Sequence, residues 1–302
     1  MNWSSYLKGF AAFLKLEKSL SENSIEAYLH DIEKFHQFLD VHKIELQPKE
    51  VELNHLRKFL NWTNELGMSA RTQARVISGI KAFFKYLLIE NILDNDPTTL
   101  LEAPKLGKKL PEVMTVEEIN AIIDAIDLSK KEGSRNKAML ETLYSSGLRV
   151  SELVNLKISH IYSEEGFLKI TGKGNKERIV PIGKIALKHI LIYLEQVRCH
   201  VSAQKEDVDI LFLNNRGKKL TRVMVFTIIK QLSEKIGLKK SISPHTFRHS
   251  FATHLIDGGA DLRAIQDMLG HESITTTEIY THLDREYLRA AIMQFHPRSG
   301  KC

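Results

Sequence analysis

The sequence predicts a mainly α protein of two domains: a four-helix N-terminal domain, then a mixed α/β domain with a small antiparallel sheet. Three observations carry that expectation. At 302 residues the chain has room for two separate cores, since globular domains commonly run to about 100–200 residues. Apolar residues recur at three- and four-residue intervals over most of the length, the period of a helix that buries one face. Only between Ile158 and Pro181 does the pattern change to short β-prone runs.

From Trp3 to Leu88 the helical spacing is clearest in Ile25, Tyr28, Leu29, Ile32, Phe35, Phe38 and Leu39, and again in Val76, Ile77, Ile80, Phe83, Phe84 and Leu87. Breaks at Lys18–Asn23, Lys43–Lys49 and Gly67–Ser69 divide the stretch into four helices. Ser21 or Ser24 can cap the second and Ser69 the fourth, each offering a hydroxyl to orphan backbone N–H groups. Asp94–Pro97 and Ala103–Pro111 then hold three of the chain's seven prolines among Lys, Gly and Asn, which reads as a linker. The domains are expected at 1–103 and 112–302, with 104–111 joining them.

Beyond the linker, Thr115 and Glu118 have the spacing of a capping box opening a helix through Ile126, and helical periodicity returns at Lys137–Tyr144. The expected strands are Ile158–Tyr162, Phe167–Thr171 and Glu177–Pro181, separated by the turn-like Ser163–Gly166 and Gly172–Lys176. Helices are expected again at Ile185–Val201, Val223–Ile236, His245–Ile256, Leu262–Leu269 and Asp284–Met293, with Gly237, Gly258 and Gly270 as stops.

Composition narrows the function classes. With 43% hydrophobic and 26% charged residues, neither disorder nor a fibrous repeat is indicated. The longest apolar runs fall far short of the ~20 residues that cross a bilayer, and Met1–Leu16 lacks the apolar core and cleavage site of a signal peptide. Cys199 and Cys302 build no disulfide framework, which fits a reducing compartment, so a cytoplasmic protein is expected. The net charge of +6 favours a polyanionic partner, and most of the surplus lies in residues 111–302.

The densest polar cluster is Ser243-Pro244-His245-Thr246-Phe247-Arg248-His249-Ser250-Phe251-Ala252-Thr253-His254, where Pro244 suits a helix start and His245 and Arg248 share a helical face. Downstream come Leu269-Gly270-His271 and, nine residues later, Tyr280; upstream, Arg149 follows the turn at Gly147. Each has a plain alternative. An isolated Gly-Leu-Arg is a solvated surface arginine, and a tyrosine among apolar neighbours is a core aromatic with its hydroxyl satisfied. His249 and His254 are expected to pack or hydrogen-bond. His245, His249 and His254 have spacings that suit one or two metal ligands, but no Cys or carboxylate pair completes a set and Arg248 would set a cation against the ion. Gly172-Lys173-Gly174 lacks the length and following helix of a nucleotide loop. No metal and no cofactor is expected.

Taken together, Arg149, Lys173, His245-x-x-Arg248, Gly-His271 and Tyr280 resemble the catalytic set of the tyrosine recombinases, the phage integrase family, in order and approximate spacing. The likeness covers nearly the whole chain: Ser21–Phe38 and Ser69–Leu87 resemble the family's SAM-like, helical core-binding domain, and Ala260–Gly270 with Thr275–Leu283 resembles the Xer branch. The resemblance implies an enzyme that cuts and rejoins double-stranded DNA at a recombination site, with Tyr280 as nucleophile and Lys173 as general acid; Lys176 competes for the latter role. It further implies a tetrameric synapse with a second Xer-type recombinase, a C-terminal helix docked into a neighbouring subunit, and activation by an FtsK-type DNA translocase in chromosome dimer resolution at cell division. The alternatives are a mobile-element integrase of the same chemistry and a catalytically inert DNA-binding architectural protein.

The residue types suit phosphoryl transfer on their own account. A phosphodiester under attack gains charge on its non-bridging oxygens, and fixed donors aimed there stabilise that state above the ground state. Arg149 and Arg248 fit this role, because a guanidinium is planar, always charged and bidentate toward phosphate. His245 and His271 can add hydrogen bonds and move protons. Tyr280, with an ordinary pKa near ~10, needs nearby cations to favour its phenolate. Candidate DNA contacts are Arg71, Arg75, Lys81, Lys219 and Arg222.

Overall fold

The computed structural model describes residues 3–105, 107, 112–172, 176–270 and 282–299, the side chains of 282–286 excepted. The chain divides into two compact units, Met1–Lys109 and Leu110–Cys302.

The first unit is built from α1 (Trp3–Leu16), α2 (Glu22–Val41), α3 (Leu53–Glu65) and α4 (Ala70–Ile89). Their apolar stripes meet in an aromatic core in which Phe10, Phe35, Phe59, Phe83 and Phe84 are at most 1% exposed. Phe10 meets Phe83, and Phe35 meets Phe59, edge to face at 5.3 Å, a geometry that adds to the burial of area itself. Ser69 caps α4, its hydroxyl accepting from the Thr72 amide. Ser21 occupies the N-cap of α2 but turns its hydroxyl to Ser24 Oγ, 2.9 Å away, and caps no backbone N–H. Gly79 lets α4 approach α2, for a Cβ there would lie 2.9 Å from that of Asp31.

The second unit contains α5 (Val116–Asp124), α6 (Gly133–Ser146), α7 (Val150–Val154), β1 (Ile161–Tyr162), β2 (Phe167–Thr171), β3 (Glu177–Pro181), α8 (Lys184–Gln196), α9 (Arg222–Lys235), α10 (Pro244–Asp257), α11 (Leu262–Leu269) and α12 (His282–Phe295). The sheet is antiparallel in the order β1-β2-β3, with Phe167 opposite Pro181 and Ile170 opposite Arg178. The capping box at Thr115 and Glu118 is formed in both directions.

Three local expectations need correction. The strand expected at Ile158–Tyr162 opens with a 3₁₀ turn over Ile158–His160, because Ile158 N and Ser159 N are drawn to Asp209, leaving a two-residue strand. The helix expected to reach Val201 ends at Gln196, and Arg198 turns inward so that its guanidinium donates to the carbonyls of Val208 and Ile210. Gly258 keeps right-handed φ (−71°), and Gly259 supplies the left-handed residue after α10.

The short α7, which has no counterpart among the expected helices, follows directly on the left-handed turn at Gly147. Leu288, Ala291 and Ile292 of α12 are buried in the core of the second unit, where α12 packs against β3, α10 and α11. The terminal helix therefore lies on its own unit in this structure. Beyond it His296 is buried between Tyr144 and Phe251, and Arg298 bonds Asn120 and the buried Glu141.

Candidate active site

Helix α6 ends at Gly147, whose left-handed φ of 57° and close approach to Phe251 leave no room for a Cβ, which would sit 2.4 Å from the ring. That turn delivers Arg149 to the N-cap of α7. Its amide donates to Glu152 Oε2 at 2.8 Å, and its guanidinium Nη1 donates to Glu152 Oε1 at 3.0 Å. Arg149 Nη2 reaches the carbonyl of Gly270 at 3.1 Å, just past the end of α11.

Helix α10 supplies the second arginine. Ser243 caps it, Pro244 takes the first helical position, and Arg248 follows His245 by three residues on the same face. His245 is exposed, whereas Arg248 is only 9% exposed. Arg248 Nη1 donates to Gly147 O at 2.7 Å and Nη2 to Leu269 O at 2.6 Å. Burial, with the neighbouring charges of Arg149 and Arg178, brings its pKa down to about 10, so it stays charged at neutral pH.

A third arginine, which the sequence reading passed over, completes the cluster. Arg178 of β3 donates through Nη1 and Nη2 to the two oxygens of Glu152, both at 2.8 Å, and through Nε to Met268 O at 3.0 Å. Burial alone would raise the Glu152 carboxyl, but Arg178 and Arg149 outweigh it and hold it below the usual range. The carbonyls of Met268, Leu269 and Gly270 thus each accept from a different arginine, at the helix end where the macrodipole favours cations. The signals were present: Glu152 stands at capping-box distance from Arg149, and Arg178 is a charged residue on the strand face that also buries Val180.

Of the six candidate catalytic residues, Arg149, His245 and Arg248 are described, and the two arginines converge on the end of α11. Lys173, His271 and Tyr280 lie outside the described residues; Gly172 and Gly270, the neighbours of the first two, border the arginine cluster. His254 donates to or accepts from the Tyr144 hydroxyl at 2.8 Å, and burial lowers its pKa, a packing role. Among the described residues no group of His, Cys, Asp and Glu is arranged to hold a metal ion, and no helix is long and apolar enough to cross a membrane.

The candidate DNA contacts fall on both units. In the first, Arg71, Arg75 and Lys81 are exposed on α4, a helix with no acidic residue; Arg75 is also forked onto the buried Asp31, with both contacts at 2.7 Å. In the second, Arg222 is exposed at the start of α9 and Lys219 shortly before it, where Lys219 Nζ donates to Asn155 Oδ1 at 2.9 Å.

Residues 112–286 match the phage integrase family, and residues 7–91 match the phage integrase N-terminal SAM-like domain. The chain belongs to the phage integrase family and is a Xer-type tyrosine recombinase, an enzyme of site-specific recombination. Within the Xer type the similarity runs to XerD: the chain is 41% identical to the tyrosine recombinase XerD of Staphylococcus aureus (strain N315) over 97% of its length and 99% of that protein, and equally to XerD of Staphylococcus saprophyticus. Among solved structures it is similar to the XerH site-specific recombinase bound to difH substrate in a pre-cleavage complex, at 27% identity and a TM-score of 0.67, over 86% of this chain and 77% of that one. A lambda integrase dimer bound to a core site, at 17% identity and a TM-score of 0.68, shares the fold, over 92% of this chain and 100% of that one.

Proposed function

We propose that this recombinase cuts and rejoins duplex DNA through a covalent phosphotyrosine on Tyr280, with Arg149 and Arg248 holding the scissile phosphate. The observation that supports it best is the arginine pair, seated on consecutive carbonyls at the end of α11 and so fixed before substrate arrives. Preorganised donors stabilise the charge that develops on the non-bridging oxygens without reorienting during the reaction. The phenolate of Tyr280 attacks phosphorus, the bond to the 5′-oxygen of the next nucleotide breaks, and that oxygen takes a proton from Lys173. His245 and His271 assist by hydrogen bonding and proton movement. Because the phosphotyrosine keeps the energy of the broken phosphodiester, rejoining requires neither ATP nor metal, and activity should persist in excess EDTA.

In this reading residues 1–103 form the DNA-binding domain, 104–111 the linker and 112–302 the catalytic domain. Arg71, Arg75, Lys81, Lys219 and Arg222 contact the DNA. The XerD similarity supports a role in chromosome dimer resolution at cell division, in a tetrameric synapse with a XerC-type partner and with an FtsK-type translocase, acting in the cytoplasm. The test is a nicked suicide substrate carrying the recombination site. The wild-type chain should yield a denaturation-resistant protein–DNA band, and Tyr280→Phe should bind the same DNA without forming it; a surviving band would remove Tyr280 from the role.

A further inference from the structure

Arg178 is turned inward where Arg149 faces solvent: their side chains are 8% and 42% exposed. Nε, Nη1 and Nη2 of Arg178 each donate to a protein acceptor and the side chain is buried, which suits it to holding the fold rather than to gripping DNA directly. Two glycines leave room for it. A Cβ at Gly270 would stand 3.2 to 3.3 Å from its Cδ, Nε and Cζ, and one at Gly172 would stand 3.5 Å from its Nη1. The guanidinium therefore sits among three pieces of chain: the root of the β2–β3 hairpin, the first turn of α7 and the end of α11.

We propose that Arg178 is a positioning residue for DNA cleavage, fixing in one register the Arg149 guanidinium and the backbone at Gly172 and Gly270, the sequence neighbours of Lys173 and His271. The inference rests on the roles assigned above to Arg149, Lys173 and His271. Glu152 has two oxygens, and Arg178 bonds both, which leaves Arg149 a single side-chain bond to Oε1 and frees its Nη2 for Gly270 O. Without Arg178, Arg149 closes onto Glu152 as a two-pronged pair and turns away from the phosphate. At the same time the bond to Met268 O is lost, and with it the tie between β3 and the end of α11. Charge alone does not replace this. A lysine at 178 restores the cation but not the planar fork that spans both carboxylate oxygens.

The experiment uses the full chain and the nicked substrate described above, with binding by anisotropy, single-turnover cleavage and Tm measured for each variant. Arg178→Lys should lose about 10- to 100-fold in cleavage rate, the range for partners that orient a reacting group, with its Kd for the duplex within about threefold of wild type. On a substrate whose 5′-bridging oxygen is sulfur, which leaves without a proton, Lys173→Ala should recover more fully than Arg178→Lys, since the latter also misplaces Arg149. The pair Glu152→Gln, Arg178→Gln leaves no unpaired buried charge and covers the case in which Arg178→Lys folds poorly; it should cleave no worse than Arg178→Gln alone, because both act on Arg149 through one contact. Cleavage by Arg178→Lys within about threefold of wild type, equal losses in binding and rate, or a double variant clearly slower than Arg178→Gln would each overturn the proposal. A wild-type chain that forms no adduct would instead overturn the site assignment, and the positioning role with it.

Discussion

Holding a guanidinium at 9% exposure carries a desolvation cost, and Arg248 offsets it with two short bonds to backbone carbonyls. Arg149 is half exposed and anchored by one carboxylate oxygen and one carbonyl. The two should therefore fail differently. Arg149→Lys should cost cleavage by at least about tenfold and leave Tm nearly unchanged, while Arg248→Lys should cost both, since burial magnifies a poorly seated charge. Single-turnover cleavage and thermal melts of the two variants check this. His296 supplies a pH dependence. Burial, largest of its causes, brings its pKa down to about 3, and its Nδ1 accepts from the Arg298 amide, so the ring is neutral in the fold. The unfolded ring, near pKa ~6.5, takes up a proton first, so stability is full above that value and falls as pH drops toward 3. Urea titrations should show His296 contributing a loss of about 1.6 kcal/mol between pH ~6.5 and ~5, a contribution that His296→Phe should lack. At this scale the candidate catalytic set was chosen from residue type and order, because phosphoryl chemistry restricts both, and the structure brings Arg149 and Arg248 of that set together at the end of α11. Glu152 and Arg178 left only local signals, a capping-box spacing and an inward strand position; that two charges 26 positions apart share a buried pair is a tertiary fact.

Elements follow from periodicity where one face is buried, and α2, α4 and α11 were read closely for that reason. The failures lie where a side chain diverts the backbone: Asp209 bends the start of β1, and Arg198 ends α8 early by taking two carbonyls. Helix α7 has five residues, too few for a period to show. The turn at Gly147 was recognised as a turn, but its tightness against Phe251 is a tertiary fact. Gly147→Ala meets both a left-handed φ, at about 1–2 kcal/mol, and an overpacked neighbour, at about 1–3 kcal/mol. Calorimetry should find a fall in Tm of roughly 5–15 °C, and an unchanged Tm would mean that α6 ends less tightly than described. The exposed basic face of α4 makes a separate prediction. Arg71→Ala and Lys81→Ala should each lower the salt slope of DNA binding by about 0.9 without altering Tm. Arg75→Ala should lose stability as well, since it strands the buried Asp31 carboxylate.

For the molecule as a whole, the segment after α12 acts as a fastener. Arg298 reaches back 157 residues to Glu141, whose side chain is 1% exposed, and to Asn120 on α5. Arg298→Ala would leave that carboxylate buried and unpaired, at a cost of about 3–5 kcal/mol, whereas Glu141→Gln with Arg298→Met should recover most of it. Chemical denaturation of the three chains checks the difference. The fold class and the order of helices and sheet were readable from the sequence. That the chain's end lies on its own unit was not, because an apolar stripe specifies that a face is covered and leaves open by what. The end of α11 carries a consequence of another kind. Its three acceptors are peptide carbonyls, present whatever side chains the helix bears, so substitutions along Leu262–Leu269 can drift without removing a single arginine's anchor. A one-residue insertion, by contrast, would turn every carbonyl by about 100° and unseat all three at once. The history of this recombinase should therefore be permissive toward replacement at the exposed Leu262, Arg263 and Gln266, conservative at the buried Ala264, Ile265, Met268 and Leu269, and intolerant of any change in the helix's length.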